Sequence, residues 1–360
     1  MNNTRLNILR DRLKEKDMDG ALVLSDTNRN YITGFTGNES YILVTQKEAL
    51  FITDSRFTEQ AKDQTVGFDV LDYKGNLVEF LSQNIISASI KKLGFEENFV
   101  TYGFYEELRS KLDNIEFVKL NNMIEQIRQI KDEEEIKNIE KAASIADDAF
   151  SHIVKYIKIG MTEKEIGLEL EHFMKLNGAT GLSFPSIIVS GKRASLPHGT
   201  ATEKKIEYGD FLTLDFGCIY NGYCSDMTRT IFIGKASDRQ KEIYNIVLEA
   251  NEKVLEQIRP NITGQELDKI ARNLIEERGY GECFGHGLGH GVGMDIHELP
   301  TISRKGKESI AANMVITDEP GIYIPNFGGV RIEDLILVTS SGHRVLSKSD
   351  KNIIEINNWL

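Results

Sequence analysis

Residues 211–226 read FLTLDFGCIYNGYCSD, and this stretch decides the fold of the C-terminal part of the chain. Its first half carries Asp215 within an otherwise largely apolar run, which predicts a β-strand. Because side chains of a strand alternate between two faces, Phe211, Thr213, Asp215 and Gly217 would share one face. Asn221-Gly222 is a typical two-residue hairpin turn. A return strand after that turn sets Asp226 opposite Gly217, diagonal to Asp215 on the same face of the hairpin.

The convergence of two carboxylates constrains the chemistry of this hairpin. An isolated buried carboxylate is costly, and two neighbouring carboxylates repel each other. Asp215 and Asp226 therefore indicate a divalent cation or a shared proton. A solvated hairpin with surface acids is the alternative, which the apolar flanks of Asp215 disfavour.

The last two thirds of the chain show a weak internal duplication. Thr-x-x-Glu capping boxes begin one helix at Thr162 and another at Thr263. A glycine follows each helix, at Gly178 and Gly279, and apolar strands that carry acids come next. The pattern predicts a domain with a pseudo-two-fold repeat, although two capped helices can also look alike by chance.

Histidines and acids are dense in the second half. Residues 285–293, GHGLGHGVG, carry His286 and His290, and His297 follows closely. The candidate metal ligands are four carboxylates and one imidazole: Asp215, Asp226, His290, Glu319 and Glu333. Such oxygen-rich ligands suit two divalent ions better than a structural zinc. A pair of ions that activates water and polarises a carbonyl favours hydrolysis over redox chemistry.

Length and composition narrow the class of protein. The chain has 360 residues, which predicts about two domains, and a net charge of -12, which disfavours a nucleic-acid partner. No apolar stretch is long enough to span a membrane. Three cysteines are too few for a disulfide framework, and the N-terminus lacks the apolar core of a signal peptide. We therefore expect a cytoplasmic protein.

The first third alternates short apolar runs with helix-like segments, which predicts a small α/β domain. The clearest strand candidates are residues 21–24, 41–44 and 49–52. A strongly charged stretch from residue 129 to 141 marks a change in composition. The predicted domains are residues 1–124 and 125–360.

Short motifs with histidines and acids lie between residues 197 and 334: Pro197-His198-Gly199, Asp215-Phe-Gly217, Gly222-Tyr-Cys-Ser-Asp226-Met-Thr-Arg-Thr, Gly287-Leu-Gly-His290-Gly-Val-Gly, Ile296-His297-Glu298-x-Pro300, Asp318-Glu319-Pro320-Gly321 and Arg331-Ile-Glu333-Asp334. Together they resemble the metallopeptidases of the pita-bread fold, the family of methionine aminopeptidase, aminopeptidase P and prolidase. Residues 1–122 resemble the creatinase-type N-terminal domain of that family, through Asp26-Thr-Asn-Arg-Asn-Tyr-Ile-Thr-Gly34-Phe and Thr53-Asp54-Ser-Arg56-Phe. The resemblance implies an α/β fold with a creatinase-type domain and a pita-bread domain that contains the pseudo-two-fold repeat.

The resemblance also implies a metal role for each candidate ligand. Asp215 would bind one ion, and Asp226 and Glu333 would bridge both. His290 and Glu319 would hold the other ion. Glu319 would also be the general base toward the attacking water. Mn²⁺ is the expected metal, with Co²⁺ or Zn²⁺ as alternatives.

Further residues would contact the substrate according to the same resemblance. His198 and His297 would contact the scissile carbonyl and stabilise the oxyanion. Arg331 would orient the bridging carboxylates. His286 and Tyr323 would line the substrate pocket, with a packing role as the alternative for His286.

The N-terminal domain favours the Xaa-Pro branch of the family, because simple methionine aminopeptidases usually lack it. Aminopeptidase P is the preferred function, with Xaa-Pro dipeptidase (prolidase) as the alternative and methionine aminopeptidase as a rival of the same fold. A creatinase-like hydrolase or a non-enzymatic scaffold is more remote, because the ligand set is complete. The expected partners are a peptide with proline at its second position and a second copy of the chain in a homodimer.

Overall fold

The computed structural model describes residues 2–358 and divides into two compact units between Arg128 and Gln129. Among residues 2–358, none of the helices combines the length and the apolar character that a membrane crossing requires.

The N-terminal unit is built on one six-stranded sheet with helices between its strands. The strands are β1 (Gly20–Val23), β2 (Tyr41–Thr45), β3 (Ala49–Thr53), β4 (Asp69–Asp72), β5 (Lys92–Phe95) and β6 (Glu116–Lys119). The helices are α1 (Asn2–Glu15), α2 (Asp26–Thr33), α3 (Thr58–Gln64), α4 (Leu77–Ser87), α5 (Tyr102–Ser110) and α6 (Met123–Arg128). The strand order is β4-β3-β2-β1-β5-β6. The predicted strands form β1, β2 and β3, which pair antiparallel, whereas β4, β5 and β6 add in parallel.

Four helices and several small sheets form the C-terminal unit. The helices are α7 (Glu133–Tyr156), α8 (Glu163–Leu176), α9 (Asp238–Leu255) and α10 (Gly264–Glu277). The strands of its first half are β7 (Gly181–Leu182), β8 (Ile187–Ser190), β9 (Phe211–Phe216), β10 (Cys218–Tyr220), β11 (Tyr223–Cys224) and β12 (Met227–Ile233). The remaining strands are β13 (Gly289–Gly291), β14 (Glu298–Ile302), β15 (Val315–Asp318), β16 (Gly321–Ile324), β17 (Gly328–Arg331), β18 (Asp334–Thr339), β19 (Gly342–Val345) and β20 (Glu355–Ile356).

The two halves of the C-terminal unit repeat one arrangement. Helices α7 and α8 pack on the sheet β20-β12-β9-β8, and α9 and α10 pack on the sheet β14-β13-β15-β18-β19. The predicted capping boxes at Thr162 and Thr263 begin α8 and α10. Both helices stop next to a glycine with positive φ, Gly178 at 103° and Gly279 at 84°. The predicted repeat is therefore confirmed.

The hairpin from β9 to β12 has the predicted register. Asn221 and Gly222 form its turn with φ of 48° and 82°, as a two-residue hairpin turn of this kind requires. Tyr220 pairs with Tyr223 next to the turn, and Asp215 still faces Thr228 at the far end. Between these pairs the two strands approach each other closely at Gly217. A Cβ built on this glycine would lie 1.9 Å from the carbonyl oxygen of Ser225.

We expect the substitution Gly217→Ala to lower the free energy of unfolding by about 1–3 kcal/mol or more, as overpacking does. The clash is with a backbone oxygen, which cannot move without disturbing the hairpin beside Asp226. Gly181→Ala in β7 is the matched control, because its Cβ would meet nothing within 4 Å. Denaturant unfolding of both variants measures the effect, and equal stabilities would contradict the close approach.

Candidate active site

The five predicted metal ligands line one cavity of about 440 Å³ in the C-terminal unit. Asp215 lies in β9 and His290 in β13, whereas Asp226, Glu319 and Glu333 lie at strand ends. The two halves of the repeat thus contribute to a single site. The other residues that line the cavity are His198, His286, His297, Arg331, Phe184, Pro185, Ile187, Pro197, Thr200, Gly287, Gly289 and Ile296.

Three of these side chains have the spacing of a metal site. One ligand atom from each of Asp226, His290 and Glu333 lies within 4.8 Å of the others. His290 Nε2 is 3.5 Å from Asp226 Oδ2 and 3.5 Å from Glu319 Oε1. Donors that share an ion at about 2.0–2.2 Å lie roughly 3–4 Å apart, so this arrangement fits a divalent cation.

The imidazole of His290 is prepared to donate a lone pair. Burial lowers the pKa of His290 to about 4, so the ring is neutral near pH 7 and its contacts with the carboxylates are not ion pairs. Its Nδ1 lies 3.0 Å from the carbonyl oxygen of Gly291, which can only accept a hydrogen bond. The proton is therefore on Nδ1, and Nε2 faces Asp226 and Glu319 with a free lone pair.

Burial disfavours the ionised form of the four carboxyl groups in the cavity. Burial, together with the charge of Glu333, raises the pKa of Asp226 well above its usual range. Burial and the charge of Glu319 do the same for the pKa of Glu333. Desolvation raises the pKa of Glu319 to about 8 and also raises the pKa of Asp215. Among the described residues that line the cavity, Arg331 is the only lysine or arginine. One guanidinium does not balance four carboxylates, whereas divalent cations bound to these donors would supply the missing positive charge.

Arg331 holds two of the acids in place. Its Nη2 donates to Asp215 Oδ2, and its Nε donates to Thr228 Oγ1 at 3.0 Å. Thr228 Oγ1 in turn donates to Glu333 Oε2 at 2.6 Å. The guanidinium therefore reaches Asp215 directly and Glu333 through a hydroxyl.

Tyr323 contacts two of the residues that line the cavity, Arg331 and His286. Its hydroxyl accepts a hydrogen bond from Arg331 Nη1 at 2.7 Å and lies 2.9 Å from His286 Nε2. His286 Nδ1 donates to the Gly287 carbonyl at 2.7 Å, so its Nε2 accepts the proton of Tyr323. Burial lowers the pKa of His286 to about 4, consistent with a neutral ring. Of the two predicted pocket residues, His286 is in the described lining of the cavity, whereas Tyr323 is not and contacts His286 instead.

His198 and His297 line the cavity with side chains more exposed than that of His290. The rings of His290 and His297 contact edge to face, with centroids 4.3 Å apart. Partial burial lowers the pKa of His297. Both histidines can therefore reach a ligand in the cavity.

Two threonine hydroxyls contact the predicted ligands, although the sequence did not indicate a role for either. Thr228 connects Arg331 to Glu333, and Thr317 Oγ1 donates to Glu319 Oε1 at 3.3 Å and accepts from the amide of His290 at 3.1 Å. Each threonine lies two residues from a predicted ligand, so strand alternation places it on the same face. That alternation is the signal that could have identified them.

Comparison with known proteins identifies the family. Residues 137–340 match the description Metallopeptidase family M24, and residues 5–130 match Creatinase/Prolidase N-terminal domain. An Xaa-Pro dipeptidase from Pyrococcus horikoshii is 44% identical over 343 residues, which cover 95% of this chain and 96% of that protein. The chain therefore belongs to metallopeptidase family M24.

Solved structures agree with this assignment. An Xaa-Pro dipeptidase from Bacillus anthracis is 45% identical with a TM-score of 0.96, covering 99% of this chain and 100% of that one. An X-Pro aminopeptidase from Thermotoga maritima is 38% identical with a TM-score of 0.91, covering 98% and 99%. The predicted fold, a creatinase-type α/β domain followed by a pita-bread domain, is confirmed.

We expect metal binding to release protons, because burial raises the pKa of Glu319 to about 8, so this carboxyl holds a proton near neutral pH, and ligands must be deprotonated. Between about pH 6 and 8 the apparent Mn²⁺ affinity should rise by about tenfold per pH unit for each proton released. His290, neutral above its pKa of about 4, contributes nothing in that window. Calorimetric titration in two buffers of different ionisation heat measures the release. Identical heats in both buffers would contradict the raised pKa values.

Proposed function

We propose that the chain is a metal-dependent Xaa-Pro dipeptidase, which hydrolyses the bond between a first residue and a C-terminal proline. The observation that carries this proposal is the cavity in which four carboxylates and neutral His290 converge. The dipeptidases from Pyrococcus horikoshii and Bacillus anthracis, 44% and 45% identical, support the substrate class. A cavity of about 440 Å³ suits a small peptide.

Five side chains would hold two divalent ions, with Mn²⁺ as the proposed metal. Asp215 would serve one ion, His290 and Glu319 the other, and Asp226 and Glu333 both. The short distances among the Asp226, His290 and Glu333 donors support this division. When bound, such ions polarise the scissile carbonyl and lower the pKa of a water molecule.

The other chemical steps belong to the protein. Glu319 would take a proton from the attacking water and return it to the proline nitrogen as the C–N bond breaks. His198 and His297 would donate hydrogen bonds to the oxygen on which negative charge develops. Arg331 keeps Asp215 in place through their direct contact.

Proline requires a site that does not depend on an amide hydrogen, because the nitrogen of an Xaa-Pro bond has none. The lining of the cavity includes the apolar residues Phe184, Pro185, Ile187 and Ile296. We propose that the proline ring packs against these residues.

Aminopeptidase P is the second candidate, favoured by the likeness to the X-Pro aminopeptidase from Thermotoga maritima. The sequence motifs also favour aminopeptidase P, whereas the more similar relatives with a named activity support the dipeptidase. The two functions differ in whether the proline carboxylate is free or continues into a longer peptide. The cytoplasmic location and the homodimer stay predictions.

A peptide series separates the candidates. With Mn²⁺ present, we expect hydrolysis of Ala-Pro, much slower hydrolysis of Ala-Pro-Ala and negligible hydrolysis of Ala-Ala, as a dipeptidase specific for a C-terminal proline requires. Asp226→Ala is the control and should lose both activity and metal. Faster cleavage of Ala-Pro-Ala than of Ala-Pro would favour aminopeptidase P. Equal rates on Ala-Pro and Ala-Ala would exclude both Xaa-Pro functions.

The two exposed histidines give an independent test of the mechanism. His198→Ala and His297→Ala should each lower kcat by about 10²–10³, the usual loss on removing an oxyanion donor. Both variants should keep two Mn²⁺ ions per chain, because neither histidine is a proposed ligand. Steady-state kinetics and metal analysis on the same samples decide the matter. Metal loss in either variant would assign that histidine to the metal site.

A further inference from the structure

A second set of buried ionisable side chains lies next to the proposed metal ligands. Asp318 precedes Glu319, Asp334 follows Glu333, and the two aspartates face each other across β15 and β18. Asp318 and Asp334 are fully buried. Because neighbouring residues of a strand point to opposite faces, these aspartates point away from the face that carries the glutamates.

Lys351 connects these two aspartates. Its Nζ donates to Asp334 Oδ2 at 2.7 Å and to Asn251 Oδ1 at 2.7 Å. The amide of Asn251 then donates to Asp318 Oδ2 at 3.0 Å and to the Asp318 carbonyl at 3.3 Å. In the described part of the chain Asp318 Oδ1 has no hydrogen-bond partner, so this carboxyl depends on the amide that Lys351 orients.

The segment that carries Lys351 is itself fixed to the C-terminal unit. Tyr244 donates a hydrogen bond from its hydroxyl to the carbonyl of Lys351 at 2.9 Å. Arg229 donates to the carbonyl of Ser349 at 2.9 Å and to Asp334 Oδ1 at 2.9 Å. Arg229 also donates to the carbonyl of Glu333. Lys351 is therefore anchored both at its backbone carbonyl, by Tyr244, and at its ammonium group, by Asp334 and Asn251.

We propose that Lys351 is a positioning residue of the metal centre, acting through Asp334 and through Asn251 and Asp318 on the backbone that presents Glu333 and Glu319. This inference rests on the proposed function, which makes both glutamates metal ligands. Partners of this kind, one layer behind the ligands, fix ligand orientation and affect metal affinity. Lys351 touches neither the cavity nor a proposed ligand in the contacts described above.

Charge alone predicts the opposite effect. Loss of a positive charge near a cation site strengthens cation binding if the ligands stay in place, because repulsion of the ion decreases. Loss of a positioning contact weakens binding, because Glu319 and Glu333 lose their fixed geometry. The direction of the change in affinity therefore distinguishes the two roles.

The test is calorimetric titration of Mn²⁺ into the metal-free full chain. We expect Lys351→Met to raise the Kd for Mn²⁺ by about 10–100-fold, the usual effect of removing such a partner. Asn251→Ala, which breaks the branch from Lys351 to Asp318 without changing the charge, should also weaken binding. Lys348→Met is the matched control, because this exposed lysine lies in the same segment and should leave the Kd unchanged.

Thermal unfolding of each variant confirms that it is folded before titration, and either Lys351→Met or Asn251→Ala suffices for the test. An unchanged or lowered Kd in a folded variant of Lys351 or Asn251 would overturn the inference. Weaker binding by Lys348→Met to the same extent would also overturn it. Failure of the unsubstituted chain to bind Mn²⁺ would instead overturn the proposed function.

Discussion

Repulsion among four carboxylates in one desolvated cavity is the constraint on which the C-terminal unit depends. Asp226 and Glu333 cannot both be ionised there without compensation, as their raised pKa values indicate. The protein stabilises these acids in part. The guanidinium of Arg331 contacts Asp215, and threonine hydroxyls donate hydrogen bonds to Glu319 and Glu333. The neighbouring imidazole of His290 is neutral. The negative charge of the carboxylates that these groups do not balance favours the binding of divalent cations.

Local chemistry explains which features could be predicted from the sequence. The turn at Asn221 and Gly222 determines its own register, and the capping boxes at Thr162 and Thr263 mark their own helices. The candidate ligands could be identified because several acids and a histidine in glycine-rich or apolar segments have few structural uses. Each of these signals depends on residues that are close together in the chain, so each can be recognised in the sequence without knowledge of the fold.

Contacts between distant strands could not be predicted in the same way. The pairing of Arg331 with Asp215, the contact of Tyr323 with His286 and the place of Phe184 in the cavity lining each depend on how separate segments pack. The preference between two peptide lengths has the same origin. In the proposed function this preference depends on the shape of the cavity where the carboxylate of proline would lie, whereas the same ligand types serve both activities.

The division of the site between two halves has an evolutionary consequence. The first half supplies Asp215 and Asp226, and the second supplies His290, Glu319 and Glu333. Neither half alone supplies all three of Asp226, His290 and Glu333, the side chains whose spacing fits a metal ion. If one ancestral segment was duplicated to give both halves, that ancestor could have formed such a centre only by association with a copy of itself. Fusion of the two copies would then have allowed their donors to diverge, acids alone on one side and an imidazole with acids on the other.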